Sequence, residues 1–332
     1  EMRTPLNGML GMVHLLLRSG LSPQQEDHLG KFDVSARHLL DIVNDLIVGG
    51  VGGALSGVAG HVQQSGTTTV TVGRDLRIAS VDGSEGSYNL SGGSSLTVTG
   101  KTVVGDLGLG TFTQSGGMHT TGQLVVGAQS GSQGTYNLLG GTLKDNAIVG
   151  DAGVGLFNNS GGLHDVAGNL IMGNQATGQG TYNLSLTGEL KVSNSITVGN
   201  QGTGNLSITN DAKLTADNRL TIGASNNGTA FQGGNSIVTV GGLRVGEGTG
   251  STASTYTMNG GTLNVLSTEG VNGGSRIGLA GTGTFTQNGG THNTTFMQIG
   301  GATFGQGGGG TGVYNLNGGV LAASGNIEVK PT

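Results

Sequence analysis

Three histidines of this chain occupy one place in a recurring phrase. His119 and His292 close the runs Thr-Phe-Thr-Gln-(Ser/Asn)-Gly-Gly-x-His at Thr111 to His119 and Thr284 to His292, and His164 holds the same slot after Phe157. Imidazoles in register are metal-ligand chemistry, but the period argues against it. Equivalent residues two stacked coils apart lie about 10 Å from each other, whereas zinc–nitrogen bonds are about 2.0–2.1 Å. The histidines are therefore expected to be solvated or packed in turns, with no metal bound. Paired carboxylates would suit acid–base work on a sugar, and Asp145 with Asp151, or Asp211 with Asp217, are near in sequence. Charged residues keep no fixed column along the repeats, and turns favour Asp, so both pairs read as turn residues. The repeats are expected to carry no catalytic residue and no cofactor.

The element that must position these residues is the repeat itself. Gly-Thr-Tyr-Asn-Leu-x-Gly-Gly-x-Leu stands at Gly134 to Leu143 and recurs, degenerate, at Gly86 to Leu96, Gly180 to Leu190, Thr255 to Leu263 and Gly312 to Leu321. Its structural anchors are Tyr88, Phe112, Tyr136, Phe157, Tyr182, Phe231, Tyr256, Phe285 and Tyr314, with Val62 and Leu206 as looser fits. The glycines Gly73, Gly105, Gly127, Gly150, Gly173, Gly199, Gly223, Gly246, Gly278 and Gly300 keep step as a second ruler. Tyr136-Asn137-Leu138 alternates as a half-buried strand does. Gly140-Gly141 is a turn, Leu143 opens a second strand, and Ile148-Val149-Gly150 ends a third. Three short strands per unit make one coil of a solenoid, whose apolar face is covered only by its neighbours. The expected fold is mainly β: a right-handed parallel β-helix of about ten rungs over 62–332, with outward Asn residues stacking as amide ladders.

Composition divides the chain. The 332 residues include 71 Gly, 3 Pro and no Cys, yet only four of the glycines lie in the first 48 positions, with four Lys/Arg and six Asp/Glu. The net charge of −5, without a basic block, speaks against nucleic acid as a partner. Absence of Cys removes disulfides and thiolate metal sites. No apolar run reaches the roughly 18 residues of a membrane span. Residues 48–61, rich in Gly with Ala and Val, read as a flexible linker.

The first 47 residues show another period. Leu6, Met9, Val13 and Leu16, then Leu29, Phe32, Ala36, Leu39, Val43 and Leu46, have the 3/4 spacing of helical seams. Ser22-Pro23 offers an N-cap and a first-turn proline for a second helix, with Arg18 to Leu21 as the turn. A short α-helical hairpin follows, suited to pairing with a second copy as a four-helix bundle.

Two resemblances bear on these regions. The repeats resemble the Gly/Asn/Thr-rich units of bacterial autotransporter passengers and related surface β-helix proteins, which implies an exported or cell-surface stalk. Glu1-Met2-Arg3-Thr4-Pro5-Leu6-Asn7, continuing through Gly8-Met9-Leu10-Gly11-Met12 to His38-Leu39-Leu40-Asp41-Ile42-Val43-Asn44-Asp45-Leu46, resembles the dimerisation and phosphoacceptor hairpin of sensor histidine kinases. By that resemblance Glu1 assists phosphoryl transfer and Thr4 the phosphatase reaction, while the phosphoacceptor histidine would precede Glu1. His14, His28 and His38 do not match its place. Asp106-Leu107-Gly108-Leu109-Gly110 has the pattern of the kinases' ATP-lining box, but it falls in the closing turn of a repeat.

The sequence thus favours a non-catalytic, elongated β-helix stalk or passenger, adhesive or filament-forming, with a helical cap or dimerising segment at its start. The alternatives are a sensor-kinase piece acting in a phosphorelay, and a carbohydrate-active β-helix. Partners that suit these features are a second copy, through the hairpin or the β-helix ends, and a surface glycan or protein. The repeats imply an extracellular or cell-surface place, and the kinase reading a cytoplasmic one.

Overall fold

A computed structural model describes residues 11–19, 21–50, 59–266, 273–301 and 309–330, with backbone alone for 35–44. The chain is mainly β, with 57% in strands, and forms a β-solenoid of about ten turns after two short helices. One coil shows how the sequence makes the fold. Its strands are Gln179–Leu184, Glu189–Val192 and Ile196–Val198. Gly180, Tyr182 and Leu184 point inward and are buried, while Thr181 and Asn183 face out. That is the period-2 alternation of a sheet with one face in the core. Each of these strands pairs in parallel with its counterparts one coil before and after, so Tyr182 lies between Phe157 and Leu206, and Leu190 between His164 and Leu214.

In two coils the three strands run on without a break as Leu109–Val126 and Gln133–Val149, with register shifts marking the corners. The closing glycine of each coil has a geometric reason. Gly150 sits at φ +70, and a Cβ there would collide with the backbone oxygen of Gln179, which opens the second coil after it. Glycine takes that conformation and that approach without strain; in the first coil Ala79 holds the equivalent place at φ +57.

The core is a set of ladders. Rings of Tyr88, Phe112, Tyr136, Phe157 and Tyr182 lie 5.0, 4.7, 4.9 and 4.6 Å apart in succession, within 6° of parallel. A second stack joins Tyr256, Phe285 and Tyr314. Stacked aromatic pairs contribute about 0.5–1.5 kcal/mol each beyond area burial. Outside, Asn183 donates to Asn158 and Asn158 to Asn137, both at 2.9 Å, forming an amide ladder.

Two expectations are corrected by the register. Phe231 is not a core anchor: Ala230 pairs with Leu206 and Tyr256, whereas Phe231 pairs with Ser207 and Thr257 on the outer face. Gly204 against Gly228 and Ile208 against Gln232 fix that alignment, so counting aromatic residues misplaces the rung by one position. The first strand also begins earlier than expected. Leu46–Val48 pairs in parallel with Leu76–Ile78, and Val48 is buried in the core, inside the stretch read as hairpin end and linker. Its three apolar residues suit a strand, and the glycines that follow disguised it. Of the expected linker, 51–58 lie outside the described residues, and Ala59–Gln64 is a strand paired with Glu85–Leu90.

Candidate functional site

The three sequence-marked histidines are not in solvent or in turns. His119, His164 and His292 face inward, each 0% exposed. They lie on the second strand of a coil whose first strand carries a phenylalanine, and each ring stacks on that phenylalanine at 4.9, 4.7 and 5.0 Å. The expectation failed because a histidine near a Gly-Gly turn looks exposed, while the strand after the turn again points alternate residues into the core.

Each histidine is held by a repeated network. In the first, Gln114 donates its amide to the carbonyls of Gly117 and Thr142. Tyr136 donates its hydroxyl to Gln114 Oε1 at 2.7 Å. The Tyr136 oxygen lies 3.0 Å from His119 Nδ1, and Thr102 Oγ1 lies 3.0 Å from Nε2. Because Gln114 Oε1 can only accept, the phenol proton is committed to it, and His119 donates through Nδ1. The Thr102 hydroxyl then serves Nε2, and a neutral ring is fully satisfied. His292 has the same neighbours in Gln287, Tyr314 and Ser275, the Ser275 hydroxyl also lying 3.1 Å from Thr294 Oγ1. Burial, with the nearby His164, lowers His119 to about 3, and burial lowers His292 to about 3. Burial also pushes the Tyr136 and Tyr182 phenols well above their ordinary range.

His164 differs in one partner. Its Nδ1 faces the Tyr182 hydroxyl at 3.0 Å, and its Nε2 faces Asp145 Oδ1 at 2.9 Å, with both side chains wholly buried. Asp145 is thus a core residue of the strand Gln133–Val149, not the turn residue its sequence suggested. Asp151 and Asp211 do act in turns, accepting from Asn174 and Asn235 of the next coil. In the Asp106 to Gly110 run, the carboxylate pairs with Arg77 at 2.9 Å, and Gly108 packs on the Ser84 backbone too closely for a side chain. That run is consumed by coil packing. Among the described residues no three His, Asp or Glu side chains gather as a metal site requires.

The accessible candidate is the helical hairpin. A helix at 11–16 turns through 17–19 into the helix Pro23–Asn44. Ser22 and Gln25 form a reciprocal capping box, Ser22 N donating to Gln25 Oε1 at 3.0 Å and Gln25 N to Ser22 Oγ at 3.4 Å. His14 Nε2 and Asp33 Oδ1 face each other across the two arms, 3.7 Å apart. Between them an apolar groove of about 260 Å³ is lined by Met12, Val13, Leu16, Leu29 and Phe32. Its rim is open, with Met12 70%, Leu16 49% and Phe32 46% exposed. Glu1, Thr4, Leu6 and Met9 lie outside the described residues, as do the side chains of Ala36, Leu39 and Val43. Among the described residues no helix is long and apolar enough to cross a membrane.

Comparison with known proteins bears on this hairpin alone. Residues 1–48 match the His Kinase A (phospho-acceptor) domain. Over 47 residues the chain is 53% identical to the sensor protein GacS of Pseudomonas syringae pv. syringae. It is 49% identical over the same length to the signal transduction histidine-protein kinase BarA of Escherichia coli K12, and 36% identical to histidine kinase 3 of Arabidopsis thaliana. These matches cover 14% of this chain and 4–5% of the three relatives. No solved structure matches the chain.

Proposed function

We propose that this chain is a non-catalytic, elongated β-solenoid whose helical hairpin joins two copies. The observation that carries the reading is the open apolar groove of Met12, Leu16, Leu29 and Phe32, on a segment related to a domain that commonly dimerises. Two such hairpins bury their seams in a four-helix bundle. We divide the chain into a hairpin over 1–47, a junction over 48–61 whose first residue already joins the stack, and repeats over 62–332. The solenoid then acts as a stiff spacer, since each coil touches only its neighbours along one axis. Light scattering on the full chain tests this: a particle of twice 32.9 kDa is expected, and Leu16→Asp with Phe32→Asp should return it to 32.9 kDa. A monomer at tens of micromolar, or a dimer that survives both changes, contradicts it.

The finer reading is a stalk or passenger at a bacterial surface, adhesive or filament-forming, and it is supported by the resemblance of the repeats. A second reading is favoured by the match over residues 1–48: a phosphorelay element in which Glu1 and Thr4 follow an acceptor histidine that would precede Glu1. Incubation of the chain carrying a histidine before Glu1 with labelled ATP and an active sensor kinase separates the two, because phosphate on that histidine supports the second. Fractionation of cells follows the same division, with export expected for the first and the cytoplasm for the second.

A further inference from the structure

The corner between the first and second strands is Ser-Gly-Gly in three earlier coils, at Ser91, Ser115 and Ser160, but Asn-Gly-Gly in the last three, at Asn259, Asn288 and Asn317. The second glycine of each Asn-Gly-Gly takes a left-handed backbone, with φ +80 at Gly261, +76 at Gly290 and +83 at Gly319. All three asparagines are exposed, and they form a ladder of their own. Asn317 Nδ2 donates to Asn288 Oδ1, and Asn288 Nδ2 to Asn259 Oδ1, both at 2.8 Å. Asn259 is the foot of the ladder, because Gln232 pairs with Met258 and the equivalent place in the preceding coil is therefore Gly233.

The three amides are not chemically equivalent. An asparagine followed by glycine loses ammonia when the glycine nitrogen attacks the side-chain carbonyl carbon, and no Cβ crowds that nitrogen. The attack drives negative charge onto Oδ1, where a fixed donor stabilises it. Asn259 has that donor in Asn288 Nδ2. Its own Nδ2, the leaving group, and the Gly260 N–H, the attacking group, are held by no acceptor among the described residues. Asn288 also receives a donor, from Asn317, but its leaving nitrogen is held by Asn259. Asn317 is the least suited: its nitrogen is held by Asn288, and Gly318 N–H donates to the Gln287 carbonyl at 3.2 Å. A fourth pair, Asn227–Gly228, is clamped. Asn227 Oδ1 accepts from the N–H groups of Thr252 and Ala253 at 2.8 and 2.9 Å, while the attacking N–H of Gly228 is buried and committed to Ser254 Oγ at 3.1 Å.

We propose that the Asn259–Gly260 corner is a self-modification site, a deamidation that the Asn288 amide assists. Gly260 N bonds to Asn259 Cγ, the Cγ–Nδ2 bond breaks, and ammonia leaves with the proton of the glycine nitrogen. Water then opens the cyclic imide at either carbonyl, giving aspartate or isoaspartate, and no oxidant or reductant takes part. Either product adds one negative charge to the ladder. Isoaspartate also adds a main-chain carbon just before the strand Thr262–Val265. The Thr262 carbonyl accepts from Gln232 Nε2 at 3.0 Å across the corner, so that product displaces the strand from its inner anchor.

Prolonged incubation of the full chain at mildly alkaline pH tests this, with peptide mapping by mass spectrometry and labelling by an isoaspartate methyltransferase to read each site separately. Asn259 should convert fastest, Asn288 next and Asn317 later, with Asn227 inert. All rates should rise with pH, because the attacking nitrogen must lose its proton. Asn288→Ser restores the corner residue of the earlier coils and removes the donor. It should slow Asn259 about two- to tenfold, the rate equivalent of one ordinary hydrogen bond. A corner merely loosened by that change would convert faster, not slower. Conversion at Asn259 no faster than at Asn317 overturns the proposal, as does a rate at Asn259 that Asn288→Ser leaves unchanged or raises.

Discussion

Acidification should loosen the stack at His119 and His292, and the size of the effect follows from their burial. Each ring is neutral in the folded core, held down to about 3, whereas an unfolded histidine protonates near 6.5. The folded-state value is depressed, so the unfolded state binds more protons between those limits. The stabilising contribution is complete above about pH 6.5 and is lost as pH falls toward about 3. Each ring therefore costs about 1.4 kcal/mol per pH unit in that window, or roughly 2.7 kcal/mol between pH 6.5 and 4.5. Global denaturation would blur this, because long repeat arrays need not unfold in one step. Local hydrogen exchange resolves it, since segments 109–126 and 282–299 each contain one of the two rings. Both should open about tenfold more per unit of acidification. His119→Gln keeps a polar group but cannot titrate, so the slope should vanish in the first segment and persist in the second. A wild-type profile flat from pH 6.5 to 4.5, or an unchanged slope in the variant, refutes the reasoning.

Other consequences concern packing. Phe157→Ala should lower stability by about 3–5 kcal/mol, the range for a buried phenylalanine, whereas Phe231→Thr should cost less than about 1 kcal/mol because Phe231 lies on the outer face; urea titrations of both check the contrast. Tyr136→Phe strips the hydroxyl from Gln114 Oε1 and His119 Nδ1, leaving two buried polar groups unmatched. A loss of about 2–4 kcal/mol is expected by the same titration. Gly150→Ala combines a left-handed backbone with a backbone collision, and should lower the thermal midpoint or prevent folding, whereas Gly131→Ala, at φ +87 but with open space around it, carries the backbone strain alone and should be milder.

How much of this was legible in the sequence depended on which side of the pleat a residue faces. The period of Tyr88, Phe112, Tyr136, Phe157 and Tyr182 showed the solenoid because those rings occupy one column. Phe231 was read as an anchor where Ala230 faces the core, because residue type was weighed above register. The hairpin was legible through Ser22-Pro23 and its apolar spacing, and the capping box bears out that start. The buried network was not legible as such. His119, Gln114 and Thr102 look like ordinary surface residues until stacking places them inward, where each satisfies the next. One signal was available: a polar residue recurring at one slot of a strand with inward parity. Asp145 was missed for the same reason, with its apparent partner Asp151 serving a turn.

Deleting one whole coil tests the central claim most directly. Gly204 and Gly228 are equivalent positions, so removing residues 204–227 lets Gly228 follow Thr203 and leaves every remaining strand in its column. That protein should stay folded, with a native far-UV spectrum and a cooperative melt, because neighbouring coils re-stack. Removing only 204–215 shifts strands out of their faces and should give aggregated or unfolded chain. If the full-coil deletion fares no better than the half-coil deletion, the chain is not built from interchangeable stacked coils.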